Sequence, residues 1–321
     1  MIAIPENLRF NWIPPSQRTK LQRLITGEFH EMIGTFANRG QQLVTLPERV
    51  LMHELEIKTT GALLPRIHQL TGSCVGAGGA RAYTLAQVGD VFVRGDAEEI
   101  KIPFPYATYG VGREIAGSRG TGEGSFGGAQ AKAIKQFGML PWDDERVPKP
   151  VIKNGWASWR SNQEIQWSHP KAWPIQRSEL EPDAQKFQIT DVTQAESTDD
   201  VDQALAQGFG VTIACMFGTK PRVEDDVLLG RWNDSWAHQQ SITGYWMHPK
   251  HGKIYVIDNQ WDDVHGHCPT LFPIGVTGSY WMLEKDLAKI IKSQDGEVYL
   301  HSNTEGFPLQ QIDWGTMGIC G

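Results

Sequence analysis

The apolar residues of this chain change their period partway along it, and that change limits the fold more than any other feature. Before about residue 150 the patterned stretches are helical. Leu21, Leu24, Ile25, Phe29, Met32 and Ile33 recur at helical spacing within residues 17–37. The segment "LTGSCVGAGGARAYTLAQVGDVFV" predicts a helix opening near Ser73–Cys74, with small residues that let neighbouring elements pack closely. A Gly-rich loop, "GSRGTGEGSFGG", leads into "AQAKAIKQFG", a predicted short helix ended by Gly138. Ahead of the long helix, "LPERVLMHELEIKTTGALLPRIHQ" reads as extended chain running into a turn. Later, "GVTIACMF", "QQSITGYW", "KIYVIDNQW", "GSYWML" and "EVYLH" read as strands, with helices at "DDVDQALAQG" and "LEKDLAKIIKS". A mainly helical half followed by a mainly β half is an α+β pattern. The polar, Pro-containing "DDERVPKPVIKNG" marks the boundary. The expected divisions are an extension at 1–45, a helical part at 46–150 and a β-rich part at 151–321.

Charge and cysteine content remove several function classes. The net charge is −7, so no basic excess exists to hold a phosphate backbone, and nucleic acid is not an expected partner. No stretch approaches the roughly 18 apolar residues of a membrane span. The N-terminal "MIAIPENLRFNWIPPSQRTKL" does not read as a secretory signal. Cys74, Cys215, Cys268 and Cys320 form no CxxC pair, which points to reduced thiols and a cytoplasmic setting.

One thiol has the surroundings of a nucleophile. Cys74 follows Gly72–Ser73 at an expected helix start, where the partial positive charge of the helix favours thiolate and Ser73 fits an N-cap. Gln69, five residues upstream, is placed to join the Cys74 backbone N–H as an oxyanion donor. His238 begins one strand-like run and Asn259 ends another. On adjacent strands an Asn amide can hold one imidazole nitrogen and leave the other for the thiol. Trp261 is placed to shield that bond from water.

The order Cys, His, Asn-x-Trp resembles the papain-like cysteine peptidases. Four segments carry the likeness in the family's order across roughly residues 46–283: "LPERV…LLPRIHQLTGSCVGA", "GEGSFGGAQAKAIKQFGMLPW", "AHQQSITGYW" and "VIDNQWDDVHG". The resemblance implies a helical left lobe, an antiparallel β-barrel-like right lobe and a cleft between them. It implies Cys74 as nucleophile, His238 as base and acid, Asn259 as orienter and Gln69 as oxyanion donor. Gly127 and Gly128 would offer backbone to an extended peptide or protein substrate, and no cofactor or metal is needed. Several positions depart from the pattern. Val75 replaces the aromatic that follows the nucleophile, Gln69 stands one residue nearer to Cys74 than usual, and Thr71 and Ser125 replace paired cysteines. Gln239, where a small residue is usual, would crowd or polarise a specificity pocket. His238 and Asn259 lie 164 and 185 residues after Cys74, beyond the family's usual separation of about 130–150, so insertions are expected between core elements.

Bland readings stand beside these. Cys74 alone is more often a buried thiol, His238 a satisfied histidine, Asn259 a turn residue, and Cys215 a buried strand residue. His248, His251, His265, His267 and Cys268 raise a zinc site, for which a polar loop is the simpler account. The Gly-rich loop lacks the GK[ST] ending of a phosphate cradle. Three functional readings remain from sequence. One is an active thiol peptidase. The second is a non-catalytic papain-fold component of a larger assembly, such as a phage virion, docking a partner through residues 1–45. The third is a thiol acyltransferase or amidase on the same core. The extension looks too short for the family's inhibitory prosegment.

Overall fold

The structure, a computed structural model, describes residues 11–39, 42–95, 100–118, 124–261 and 278–317. In chain order its regular elements are α1 (Lys20–Ile33), β1 (Arg49–Leu51), α2 (Met52–Thr60), β2 (Arg66–His68), α3 (Cys74–Arg94), α4 (Pro105–Ile115) and α5 (Gly127–Gln136). Then come β3 (Val151–Lys153), β4 (Trp156–Ser158), α6 (Ser161–Trp167), α7 (Arg177–Ala184), β5 (Asp191–Gln194), α8 (Thr198–Ala206), β6 (Gly210–Cys215), β7 (Arg222–Glu224) and β8 (Val227–Gly230). The chain continues through β9 (His238–His248), β10 (Gly252–Asp258), β11 (Ser279–Leu283), α9 (Glu284–Ile291) and β12 (Gly296–Ser302).

The α+β expectation holds. The large sheet runs β5-β12-β6-β9-β10-β11-β8-β7, and β1 also pairs with β9. Its pairings are antiparallel apart from β11 with β8. The sheet stays open, with β5 and β7 at its ends, so the barrel-like expectation is too strong. Strand β9 organises it. Residues 238–242 pair with β6 and residues 244–246 with β1, while β10 runs along the other side with a register shift at Val256/Ile257. A second, three-stranded sheet joins β2, β4 and β3.

Helix α3 is the pivot, buried continuously from Cys74 to Asp90. Its small residues do what the sequence predicts. A Cβ on Gly89 would sit 2.1 Å from the Gly208 carbonyl oxygen, and one on Gly78 would sit 3.3 Å from the Gln239 carbonyl oxygen. Close approach of this kind seats the helix directly on β9. One apolar core packs about the large sheet. Another gathers Phe104, Tyr106, Trp159, Trp167 and Trp173 among α4 to α7.

Two local readings differ from the structure. Residues 52–60, expected to be extended, form α2, which buries Met52, His53, Leu55 and Glu56 and ends at Gly61 with φ +82°. The polar half of that buried face hides its helical period. Helices α6 and α7 interrupt what reads as the β-rich half. Helix α1 forms as expected, opened by a reciprocal Thr19–Gln22 capping box. Its inward residues are Gln22, Thr26, Phe29 and Ile33, whereas Leu21, Leu24 and Met32 face solvent.

Candidate active site

Helix α3 begins at Cys74, as the sequence predicts, but Ser73 does not cap it through its side chain. The Ser73 hydroxyl lies instead 3.4 Å from that of Thr71. Cys74 is fully buried, in a cluster with Trp12, Val75, Tyr109, Phe126, Ala129 and Ala214. Burial dominates its chemistry and pushes the thiol up to about 11, against opposing backbone hydrogen bonds from Gln239, Asn11, Val75 and Trp12. The helix N-terminus therefore does not yield a thiolate in this conformation.

Residues of the extension pack against Cys74. The backbone at 11–13 runs parallel to the Gly-rich loop, with Ser125 N–H donating to Asn11 O (3.1 Å) and Ile13 N–H to Ser125 O (2.8 Å). On its other side Trp12 N–H donates to Ala237 O, next to His238 (3.4 Å). The segment thus bridges both walls beside Cys74. It is anchored at the buried Glu297 carboxylate, which accepts from Trp12 Nε1 (2.9 Å) and from the buried Arg18 guanidinium. Burial raises Glu297, but the Arg18 charge and its hydrogen bonds outweigh that and hold it below the usual range.

His238 and Asn259 are hydrogen-bonded to each other. His238 Nε2 lies 2.9 Å from Asn259 Oδ1. Gln260 N–H also donates to Asn259 Oδ1 (2.9 Å), which marks that atom as the acceptor. The neutral ring therefore carries its proton on Nε2, leaving Nδ1 as the basic nitrogen. Trp261 stacks on the ring at 4.3 Å between centroids, and both residues are buried. Bonds one residue along join this pair to the Cys74 helix. Gln239, after His238, donates Nε2 to the carbonyl oxygen of Val75, after Cys74 (3.1 Å), and Ser241 Oγ donates to Gly78 O (2.8 Å). Gln239 thus points along α3 and locks β9 to it.

Other sequence-chosen residues have different work. Gln69 Nε2 donates to Thr71 O, so its amide is engaged within its own loop, and its backbone N–H bonds Gln260 O (2.9 Å). Gly127 N–H donates to Glu297 (3.2 Å), and a Cβ on Gly128 would meet the Tyr299 hydroxyl at 3.0 Å. The backbone that pairs with a strand in the cleft is that of Ser125.

Sequence reasoning missed the ionic cluster behind Asn259. Arg81, two turns along α3 from Cys74, forks onto Glu56 (2.9 and 2.8 Å) and reaches Asp258 (3.0 Å). His53 and Arg66 lie 3.3 and 3.9 Å from Asp258. Burial raises Asp258, but His53, Arg81 and Arg66 together hold it well below the usual range. A lone Arg in the small-residue run "GAGGARA", and an Asp directly before the chosen Asn, were the available signals. Among the described residues no group of His, Cys, Asp and Glu could hold a metal. His265, His267, Cys268 and Cys320 lie outside the described residues. Cys215 is a buried strand residue, as expected. No described helix is long and apolar enough to cross a membrane.

Known protein families and characterised sequences offer no match to this chain. Its fold does match solved structures. Xylellain, a cysteine protease from Xylella fastidiosa, aligns at 15% identity over 93% of this chain and 97% of its own, with a TM-score of 0.57. The procathepsin B S9 of Trypanosoma congolense aligns at 12% identity over 93% and 87%, with a TM-score of 0.52. The ragweed pollen allergen Amb a 11, a cysteine protease in its proform, aligns at 11% over 92% and 75%, with a TM-score of 0.51. The chain has the papain-like cysteine peptidase fold on a strongly diverged sequence.

Proposed function

We propose that this chain is a thiol-dependent peptidase held latent by its own residues 11–13. The observation that carries the reading is the bond from His238 to Asn259, on a strand tied by Gln239 to the first turn of the Cys74 helix. Once the segment leaves, water reaches the thiol and the cost of charging it falls. His238 Nδ1 takes the thiol proton, and the sulfur attacks a peptide carbonyl carbon. His238 then protonates the departing amine as the C–N bond breaks. Water, deprotonated by the same nitrogen, releases the acid and restores the thiol. Asn259 keeps the ring in one tautomer throughout, and Trp261 keeps water from their bond. The Cys74 backbone N–H is the oxyanion donor this reading supports best, because the Gln69 amide is turned to Thr71.

Digestion of unstructured peptides by the full chain, with and without Cys74→Ala, tests this reading. Cleavage products that vanish in the variant support it. Intact peptides, with the segment displaced, favour the non-catalytic assembly component. Products that carry an added amine in place of water would assign acyl transfer.

A further inference from the structure

Glu164 is a buried carboxylate, against the loop that leads into Cys74, that the chemistry above does not use. It projects from α6 and is fully buried. It accepts from Leu70 N–H (3.3 and 3.2 Å to its two oxygens), from Thr71 Oγ (2.9 Å) and from Tyr106 OH of α4 (2.7 Å). Leu70 and Thr71 belong to the short loop that leads from β2 into Cys74. The other bonds of that loop converge on the same purpose. Gln69 N–H bonds the Asn259 segment through Gln260 O, and Tyr109 OH donates to Gly72 O (3.0 Å) while accepting from Gly124 N–H (3.0 Å).

We infer that Glu164 is a positioning residue for the nucleophile: its carboxylate grips Leu70 and Thr71 and so sets the aim of the Cys74 N–H and thiol. This rests on the peptidase reading. Only Gly72 and Ser73 separate Thr71 from Cys74, so a loop released at Leu70 can shift the oxyanion donor by a fraction of an ångström, enough to slow a reaction that depends on its aim. Hydrogen bonds to a charged acceptor are roughly twice as strong as neutral ones, so the grip tightens when Glu164 ionises.

The environment puts that change in a useful range. Burial raises the Glu164 carboxyl to about 7, against the opposing bonds from Tyr106, Thr71 and Leu70. The titratable group facing it from α4 is Tyr106, a phenol held neutral by burial and by the Glu164 charge. The loop presents the Thr71 hydroxyl and backbone amides. Ionisation thus falls between about pH 6 and 8.

The test compares wild type with Glu164→Gln, which keeps the shape and cannot ionise, with turnover read on a Trp12→Ala background that frees the 11–13 segment in both. The expected result has two parts. The wild-type to variant ratio of kcat stays near one at pH 5.5 and rises about tenfold by pH 8, with KM changing less than about twofold. Exchange of the Leu70 amide is about tenfold faster in the variant at pH 8, while amides within α4 are unchanged. In the wild type alone, Leu70 protection, corrected for intrinsic exchange, should grow between pH 5.5 and 8, which decides the matter even where the variant folds poorly. A wild type that turns over with a flat kcat ratio, or with Leu70 protection independent of both pH and Glu164, overturns the positioning role alone. A chain that cleaves nothing even with the segment displaced overturns the peptidase reading and this role with it.

Discussion

Cys74 and Cys215 are both buried thiols, and both are raised by burial, to about 11 and about 12. What covers them differs. Cys215 ends β6 between β9 and β12, opposite His238 and Gly296, and its side chain lies in the main apolar core about the large sheet. Cys74 lies at a helix N-terminus beneath Trp12 and the backbone of residues 11–13, held by three backbone hydrogen bonds and the Glu297 anchor. On the proposed reading, one thiol is uncovered only by unfolding and the other by moving a segment of the chain's own extension. If that reading holds, the nature of the cover, not burial alone, is what separates a structural cysteine from a latent nucleophile.

The largest effect that sharpens this contrast comes from the thiols themselves. Cys74→Ala should lower peptide hydrolysis by about 10⁴-fold or more, while Cys215→Ala should leave it within about threefold, both read by product formation. Next, His238→Ala should lower kcat by about 10²–10⁴-fold with little loss of fold, visible as retained near-ultraviolet dichroism. Behind the site, Asp258→Ala leaves Arg81 without one of its carboxylate partners. It should cost about 3–5 kcal/mol, seen as a lowered denaturation midpoint. The smallest effect is set by pH. Glu297 sits below its usual range when folded, so its contribution is present above the ordinary Glu value of about 4.5 and is lost as pH falls through the folded one. Acid should therefore loosen the segment and speed Cys74 alkylation relative to Cys215, measured on samples brought briefly to pH 3 to 4 in the presence of a thiol reagent that reacts in acid.

Much of the candidate site's placement was legible in the sequence because its pattern is local. Cys74 at a helix start, and His238 and Asn259 at strand ends, follow from short-range pattern, and β9 and β10 bring the last two together. Long-range packing was less legible. Residues 52–60 bury His53 and Glu56 among charges from α3 and β10, so a helix with a polar inner face resembled extended chain. Gly127 and Gly128 looked like substrate backbone but are glycine because Tyr299 and Glu297 press on them, which only the position of β12 reveals. The pairing of Trp12 with Ser125 was not legible, because the two are 113 positions apart and nothing local announces it.

Site-resolved alkylation of the full chain by iodoacetamide at neutral pH tests the central claim most directly. Trp12→Ala removes the indole that covers the sulfur and the bond to Glu297, a cost of about 3–5 kcal/mol that falls on the segment. Cys74 should be as slow as Cys215 in the wild type and should react about 10²-fold faster in the variant, while Cys215 stays slow. A folded Trp12→Ala chain in which the two thiols remain equally slow would contradict the account.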